Sequence, residues 1–252
     1  MGHAHHVVQL PGFFIELLTF AEPEKLGSDG FSRLFAAYNR DFAAKHDGLS
    51  MLILESANAA ADATAFAAAG IGASPTMHFE REGKRPDGSP VKVGFSLAFA
   101  EDTGAPDIHF ATCQQHYPEN FWNYEFQQHA NGVSAIEAVL LVAHEPETHR
   151  KMLLDFAGAD AAEPYEGGYT IPLPRGQIEV MAPAAFRALT GVSAPEVTDS
   201  ARLAALRFRV RDFEKQAEIL QRISVAHERR GDEIVVGPAA ALGATLLFTA
   251  AG

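Results

Sequence analysis

The stretch 108–116, IHFATCQQH, runs from apolar to polar at the two-residue spacing of a strand. Ile108, Phe110, Thr112, Gln114 and His116 therefore share one face of a predicted strand. Pro118 is expected to end it, because proline gives the ladder no N–H. Strands are also predicted at 6–10 and 13–20, joined by a Pro11-Gly12 turn. On the second of these Phe14, Glu16, Leu18 and Phe20 share a face. A loop and helix follow over 21–47. Ser28-Asp29 can cap the helix, and Phe31, Leu34, Phe35, Tyr38 and Phe42 recur at helical spacing, as core or as a lid. Then come a strand at 49–55, an alanine-rich helix at 58–69 stopped by Gly70, and a hairpin of strands 77–82 and 91–100 around Pro86-Asp87-Gly88. Gly94, Ser96, Ala98 and Ala100 form the small-residue face of the second hairpin strand, leaving room for a helix or a ligand. After 123–133 the order returns: strand 136–142, helix 146–156, strands 168–173 and 177–182, and a helical turn at 185–189. Strand 204–210, helix 212–223, a strand or hairpin at 227–236 and strand 245–250 complete the chain. The strand–helix–strands unit thus occurs three times, the mark of a fold built by duplication.

Composition narrows the function classes. The 252 residues allow one large domain or two ordinary ones, and 47% hydrophobic content supports a real core. A net charge of −12 argues against a general nucleic-acid or membrane-surface role, since both need basic patches. Cys113 is the only cysteine, so no internal disulfide and no cysteine-based zinc cluster can form; this suits a reducing cytoplasm. No apolar run is long enough for a membrane span, and no signal peptide is visible.

Candidate chemistry gathers in two places. The stretch 108–122 brings two glutamines, a histidine, an asparagine and the only tryptophan to the end of a strand, where a binding site or a wet rim is expected. Glu16 is a carboxylate on an otherwise apolar strand. A buried charge costs several kcal/mol unless paired or metal-bound, so Glu16 needs a partner or an edge that reaches water. Arg85 at the hairpin tip could clamp an anion or stand solvated, and His3, His5 and His6 form either a metal-binding lip or a frayed terminus.

The words GHAHHVVQLPGFFIELL, REGKRPDGSPVKVGFSLAFA, TCQQHYPENFW and HANG at 129–132, set in this repeat, resemble the glyoxalase-like domain proteins of the vicinal-oxygen-chelate superfamily. The resemblance implies an α+β fold of tandem βαβββ modules forming curled, partly open mixed sheets with helices outside. It divides the chain into an N-terminal domain 1–122, a linker 123–133 and a C-terminal domain 134–252. It implies a divalent-metal-dependent lyase, isomerase or dioxygenase acting on a small oxygenated molecule; the alternative is a metal-free small-ligand-binding or sequestering protein of the same fold. Carried over by position, Glu16 and His116 are the implied metal ligands and catalytic groups, the metal being Fe, Mn, Zn or Ni. Gln114 and His109 are alternative donors on the same strand. Phe14, Arg85, Gln114, Asn120 and Trp122 are the implied ligand-binding residues. Partners are a small-molecule substrate or ligand, with a homodimer allowed.

Two departures accompany the resemblance. The strand at 49–55 offers no histidine where the superfamily often has one. The chain also reads as beginning at the second strand of the first module, so the expectation is a natural start further upstream, with the short form associating through an open edge. In the C-terminal half Glu179 parallels Glu16 while Leu247 takes the comparable later place; the expectation there is a structural half with a solvated glutamate.

Overall fold

The computed structural model describes residues 3–20, 30–84 and 87–250; the side chains of 3–5, 20, 30–34 and 36 also fall outside the description. The Ser28-Asp29 cap, Arg85, and the side chains of Phe31 and Leu34 therefore lie outside the described residues.

Strands β1 (His3–Leu10) and β2 (Phe13–Phe20) form an antiparallel hairpin, turned at Gly12 with φ 75°. Helix α1 (Gly30–Ala43) follows, and then the predicted unit begins: β3 (Met51–Glu55), α2 (Ala59–Ala69), β4 (Gly72–Lys84), β5 (Pro90–Ala100) and β6 (His109–Gln115). Helix α2 is delimited as its sequence dictates. The Asn58 side chain accepts the Ala61 N–H at 3.1 Å, and Gly70 takes the left-handed conformation at φ 75°. The sheet order is β3-β6-β5-β4, with β6 parallel to β3 and antiparallel to β5. A parallel pair needs a long crossover, and α2 with the β4–β5 hairpin supplies it.

Strand β6 ends at Gln115, before Pro118, and the proline opens a short helix, α3 (Pro118–Phe121), where its missing N–H costs nothing. The segment expected as a linker carries a 3-10 turn, Tyr124–Gln127. The unit recurs as β7 (Val133–Ala143), α4 (Pro146–Ala157), β8 (Glu163–Tyr165), β9 (Gly168–Pro172) and β10 (Gln177–Met181), followed by α5 (Pro183–Thr190). It recurs again as β11 (Ala201–Val210), α6 (Phe213–Arg222), β12 (Glu228–Arg230), β13 (Glu233–Val236) and β14 (Thr245–Ala250). Antiparallel pairing of β7 with β11 merges these two units into one eight-stranded mixed sheet, ordered β12-β13-β14-β11-β7-β10-β9-β8. Strand β8, three exposed residues with a central proline, has no sequence period to announce it.

Packing gives each sheet an outer and an inner face. Ala98 and Ala100 leave space on β5 that α2 fills through Phe66, as the small-residue face predicts. Phe66 meets Phe156 of α4 at 5.9 Å between centroids, so α2 and α4 share one apolar cluster between the two sheets. A buried pair, His149 Nδ1 to Asp102 Oδ2 at 2.6 Å, ties α4 to the loop before β6. The hairpin lies between the halves. Leu10, Phe13 and Ile15 join the cluster of Phe208, Phe248 and Leu220, and Phe14 meets Phe121. Among the described residues no helix is long and apolar enough to cross a membrane.

Candidate functional site

Strand β6 divides the candidate residues by its two-residue period. Ala111 and Cys113 lie on the inner face with Phe95, Leu97 and Phe99 of β5. Burial, with a smaller contribution from the charge of Glu16, pushes the Cys113 thiol up to about 12. Glu16 faces this inner side, because Phe14 on its strand face reaches Phe121 and through it Phe95. It is half-buried, on the same hairpin face as Phe14. Phe14 packs edge-on against Phe121 at 5.3 Å and Trp122 at 6.2 Å, and Phe121 reaches Phe95 at 5.6 Å. The hairpin is pinned here by Gln9, whose amide donates to the Phe121 carbonyl at 2.7 Å and accepts from the Asn123 N–H at 3.0 Å. At the other end of β6 the His109 ring stacks on Tyr38 of α1 at 3.8 Å. Burial lowers the His109 pKa against the opposing charges of Asp107 and Asp41. Residues Tyr38 and Phe42 of the predicted aromatic stripe thus serve as core under α1.

The outer face holds the other candidates. Thr112 donates to Asp62 of α2 at 2.7 Å, and the Gln114 carbonyl accepts the Ala59 N–H at 3.2 Å. Gln114 thus serves the first turn of α2, one of whose N–H groups would otherwise be orphaned. His116 follows beyond the helix, where its Nε2 lies 2.8 Å from Ser96 Oγ. Asn120 donates to the Lys92 carbonyl at 2.9 Å and so ties α3 to β5. The structure thus brings Phe14, Glu16 and Trp122 to the inner side, and leaves Gln114 and His116 on the outer face of the sheet. Arg85 lies outside the described residues.

The outer face also holds a group that sequence reasoning did not single out. His78 of β4 pairs directly with Ser96 of β5, its Nδ1 3.0 Å from Ser96 Oγ, and its ring lies 4.9 Å from that of His116. Glu80 sits beside them, bound by Lys92 at 2.6 Å and by the Tyr117 hydroxyl at 3.1 Å. Hydrogen bonds from Lys92 lead the causes that lower the Glu80 pKa. A Cβ at Gly94 would come within 3.1 Å of both Glu80 Cγ and Tyr117 Cε2, so a larger residue there would push these side chains aside. The available signal was the hairpin register: the pairing of Lys84 with Pro90 carries His78 opposite Ser96.

In the C-terminal half the expected solvated glutamate is corrected. Glu179 is 7% exposed and pairs with Arg207, which also binds Glu233 at 2.6 Å. The Gln177 amide donates to Glu179 at 2.7 Å. Burial alone would lower the Arg207 pKa, but the two carboxylates outweigh it and raise it net. The cause is local filling: Phe186 of α5 and Val197 cover Met181 and Leu247, so water is excluded and the carboxylate takes an internal counter-ion.

A divalent ion needs several donors about 2.0–2.2 Å from one point. Among the described residues no group of three or more His, Cys, Asp or Glu side chains could hold one. Glu16 and His116, on different sides of the sheet, do not supply such a donor set.

Residues 1–156 match a family model described as a glyoxalase-like domain. No curated protein matches the chain. A solved hypothetical protein from Staphylococcus aureus is similar over 99% of this chain and 86% of its own, at 12% identity and TM-score 0.66, which shows a shared fold. Methylmalonyl-CoA epimerase from Mycobacterium tuberculosis matches 50% of this chain and 93% of its own, at 16% identity and TM-score 0.38. A putative dioxygenase from Bacillus subtilis matches 80% of this chain and 63% of its own, at 11% identity and TM-score 0.41.

Proposed function

The chain belongs to the glyoxalase-like domain family, and we propose that it is a small-ligand-binding member whose site lies where the hairpin meets the inner face of the four-stranded sheet. The observation that carries this reading is the placement of the Glu16 carboxylate on the same strand face as Phe14, next to the Phe121–Trp122 pair. An acceptor beside aromatic walls suits a small oxygenated molecule with a hydroxyl or enol to donate and a flat or apolar body to stack. Glu16 would accept the hydrogen bond, and Phe14 and Trp122 would exclude water on one side. In a reacting complex the same carboxylate could take a proton from a carbon next to a carbonyl.

The second reading is a metal-dependent lyase, isomerase or dioxygenase. It is favoured by the position of Glu16 on the last strand of the hairpin, where the superfamily carries a glutamate ligand. It requires donors beyond the described residues. The lone buried Cys113 suits a cytoplasmic location, and Val7 and Leu17, exposed on the hairpin, suit a homodimer.

The test is a thermal-shift and calorimetric screen with small 2-oxo acids, hydroxy acids and catechols, run beside elemental analysis of the purified protein. Binding reduced by Glu16→Gln and by Trp122→Ala supports the first reading. A stoichiometric divalent ion lost in Glu16→Gln supports the second. Binding by the folded protein that neither substitution changes would sink both.

A further inference from the structure

We propose a separate transition-metal site on the outer face of the four-stranded sheet, formed by His78, His116 and Ser96 and oriented by Glu80. It is independent of the inner-face reading, because it uses none of those residues. Both imidazoles already reach the Ser96 hydroxyl, and their ring centroids lie 4.9 Å apart. Ser96 Oγ lies 3.0 Å from His78 Nδ1 and 2.8 Å from His116 Nε2. In a four-coordinate zinc site with bonds of about 2.0–2.1 Å, neighbouring donors stand about 3.3 Å apart. An expansion of a few tenths of an ångström brings both of these distances to that spacing. Water would complete the coordination, since His78 and His116 are exposed.

The surroundings have the form of an outer shell built for a metal-bound imidazole. An imidazole that binds metal through Nδ1 carries its proton on Nε2 and donates it to a carboxylate or carbonyl. Glu80 Oε1 is 3.9 Å from His78 Nε2, close enough to fix that tautomer with a small rotation. Lys92 and Tyr117 in turn hold Glu80, and the bare Cα of Gly94 makes the room for it. His78 and Ser96 are fixed by direct cross-strand pairing. The backbone N–H of His116 is bonded to the Gly94 carbonyl at 2.9 Å. Two imidazoles and a hydroxyl select a borderline ion of the zinc, nickel or copper class over magnesium or calcium, which prefer all-oxygen shells. A pair of histidines completed by a hydroxyl and water is smaller than the three-residue clusters that the described residues lack.

Isothermal titration of the full chain with zinc chloride tests this, with magnesium chloride as control. One saturable zinc equivalent is expected. His78→Ala and His116→Ala should each abolish it, Glu80→Gln should weaken it by about 10–100-fold, and Glu16→Gln should leave it unchanged. The combined variant His3→Ala, His5→Ala and His6→Ala should retain it, which separates this site from the N-terminal histidines. Circular dichroism verifies that the variants fold. Absence of saturable binding, or binding that survives loss of both His78 and His116, overturns the proposal; loss in Glu16→Gln alone would assign the ion to the inner face instead.

Discussion

Two strands in this chain, β2 and β10, each carry a glutamate, and the protein treats the two carboxylates differently. Glu16 stays half-buried beside aromatic rings and the inner face of the four-stranded sheet. Glu179 is buried and neutralised by Arg207, whose guanidinium also serves Glu233. A carboxylate taken fully out of water must carry a counter-charge with it. In the C-terminal half the protein supplies that charge from β11. The inner side of the N-terminal half keeps its carboxylate partly accessible, which is why the functional reading rests on it.

The comparison breaks most sharply at Arg207. Arg207→Ala leaves the buried Glu179 and the partly buried Glu233 without their cation and should cost about 3–5 kcal/mol in urea unfolding. Replacing all three charged groups, Glu179→Leu with Arg207→Met and Glu233→Leu, should recover most of that loss. A cost under about 1 kcal/mol for Arg207→Ala would mean that the C-terminal half is more hydrated than its packing implies. Trp122→Ala removes edge contacts to Phe14 and Phe121, worth about 0.5–1.5 kcal/mol each, so a loss of about 2 kcal/mol is expected with the fold retained. Complete unfolding would make Trp122 core and remove it from the site.

Acid gives a smaller, graded effect at His109. Its folded pKa lies below the ordinary 6.5, so the unfolded chain binds the proton more tightly. Its contribution is fully present above pH 6.5 and is lost as pH falls through the lowered folded value. His109→Gln should flatten that limb of a stability-versus-pH curve, and an unchanged limb would place the acid sensitivity elsewhere. Glu16→Gln should be the mildest in stability, within about 1 kcal/mol, while its effect on ligand binding is the largest of the set. A destabilisation matching that of Arg207→Ala would erase the contrast between the halves.

Much of this was legible in the chain. The two-residue strand period, the Pro11-Gly12 turn, the Gly70 stop and the small-residue face of 91–100 are local signals, and the units and hairpins follow from them because backbone geometry acts over a few residues. The same two-residue period establishes that Thr112, Gln114 and His116 share a face. It carries no information about which face meets a helix and which meets the hairpin. That was decided when α2 settled on Ala98 and Ala100, which put Gln114 to work in its first turn and left His116 beside Ser96 and His78. Likewise an isolated glutamate in an apolar strand signals a need for a partner, but Glu179 and Arg207 are separated by a helix and a crossover to the next unit. Only strand pairing across the eight-stranded sheet brings them together, because electrostatic partners are chosen by proximity in space, and sequence period is blind to contacts between distant strands.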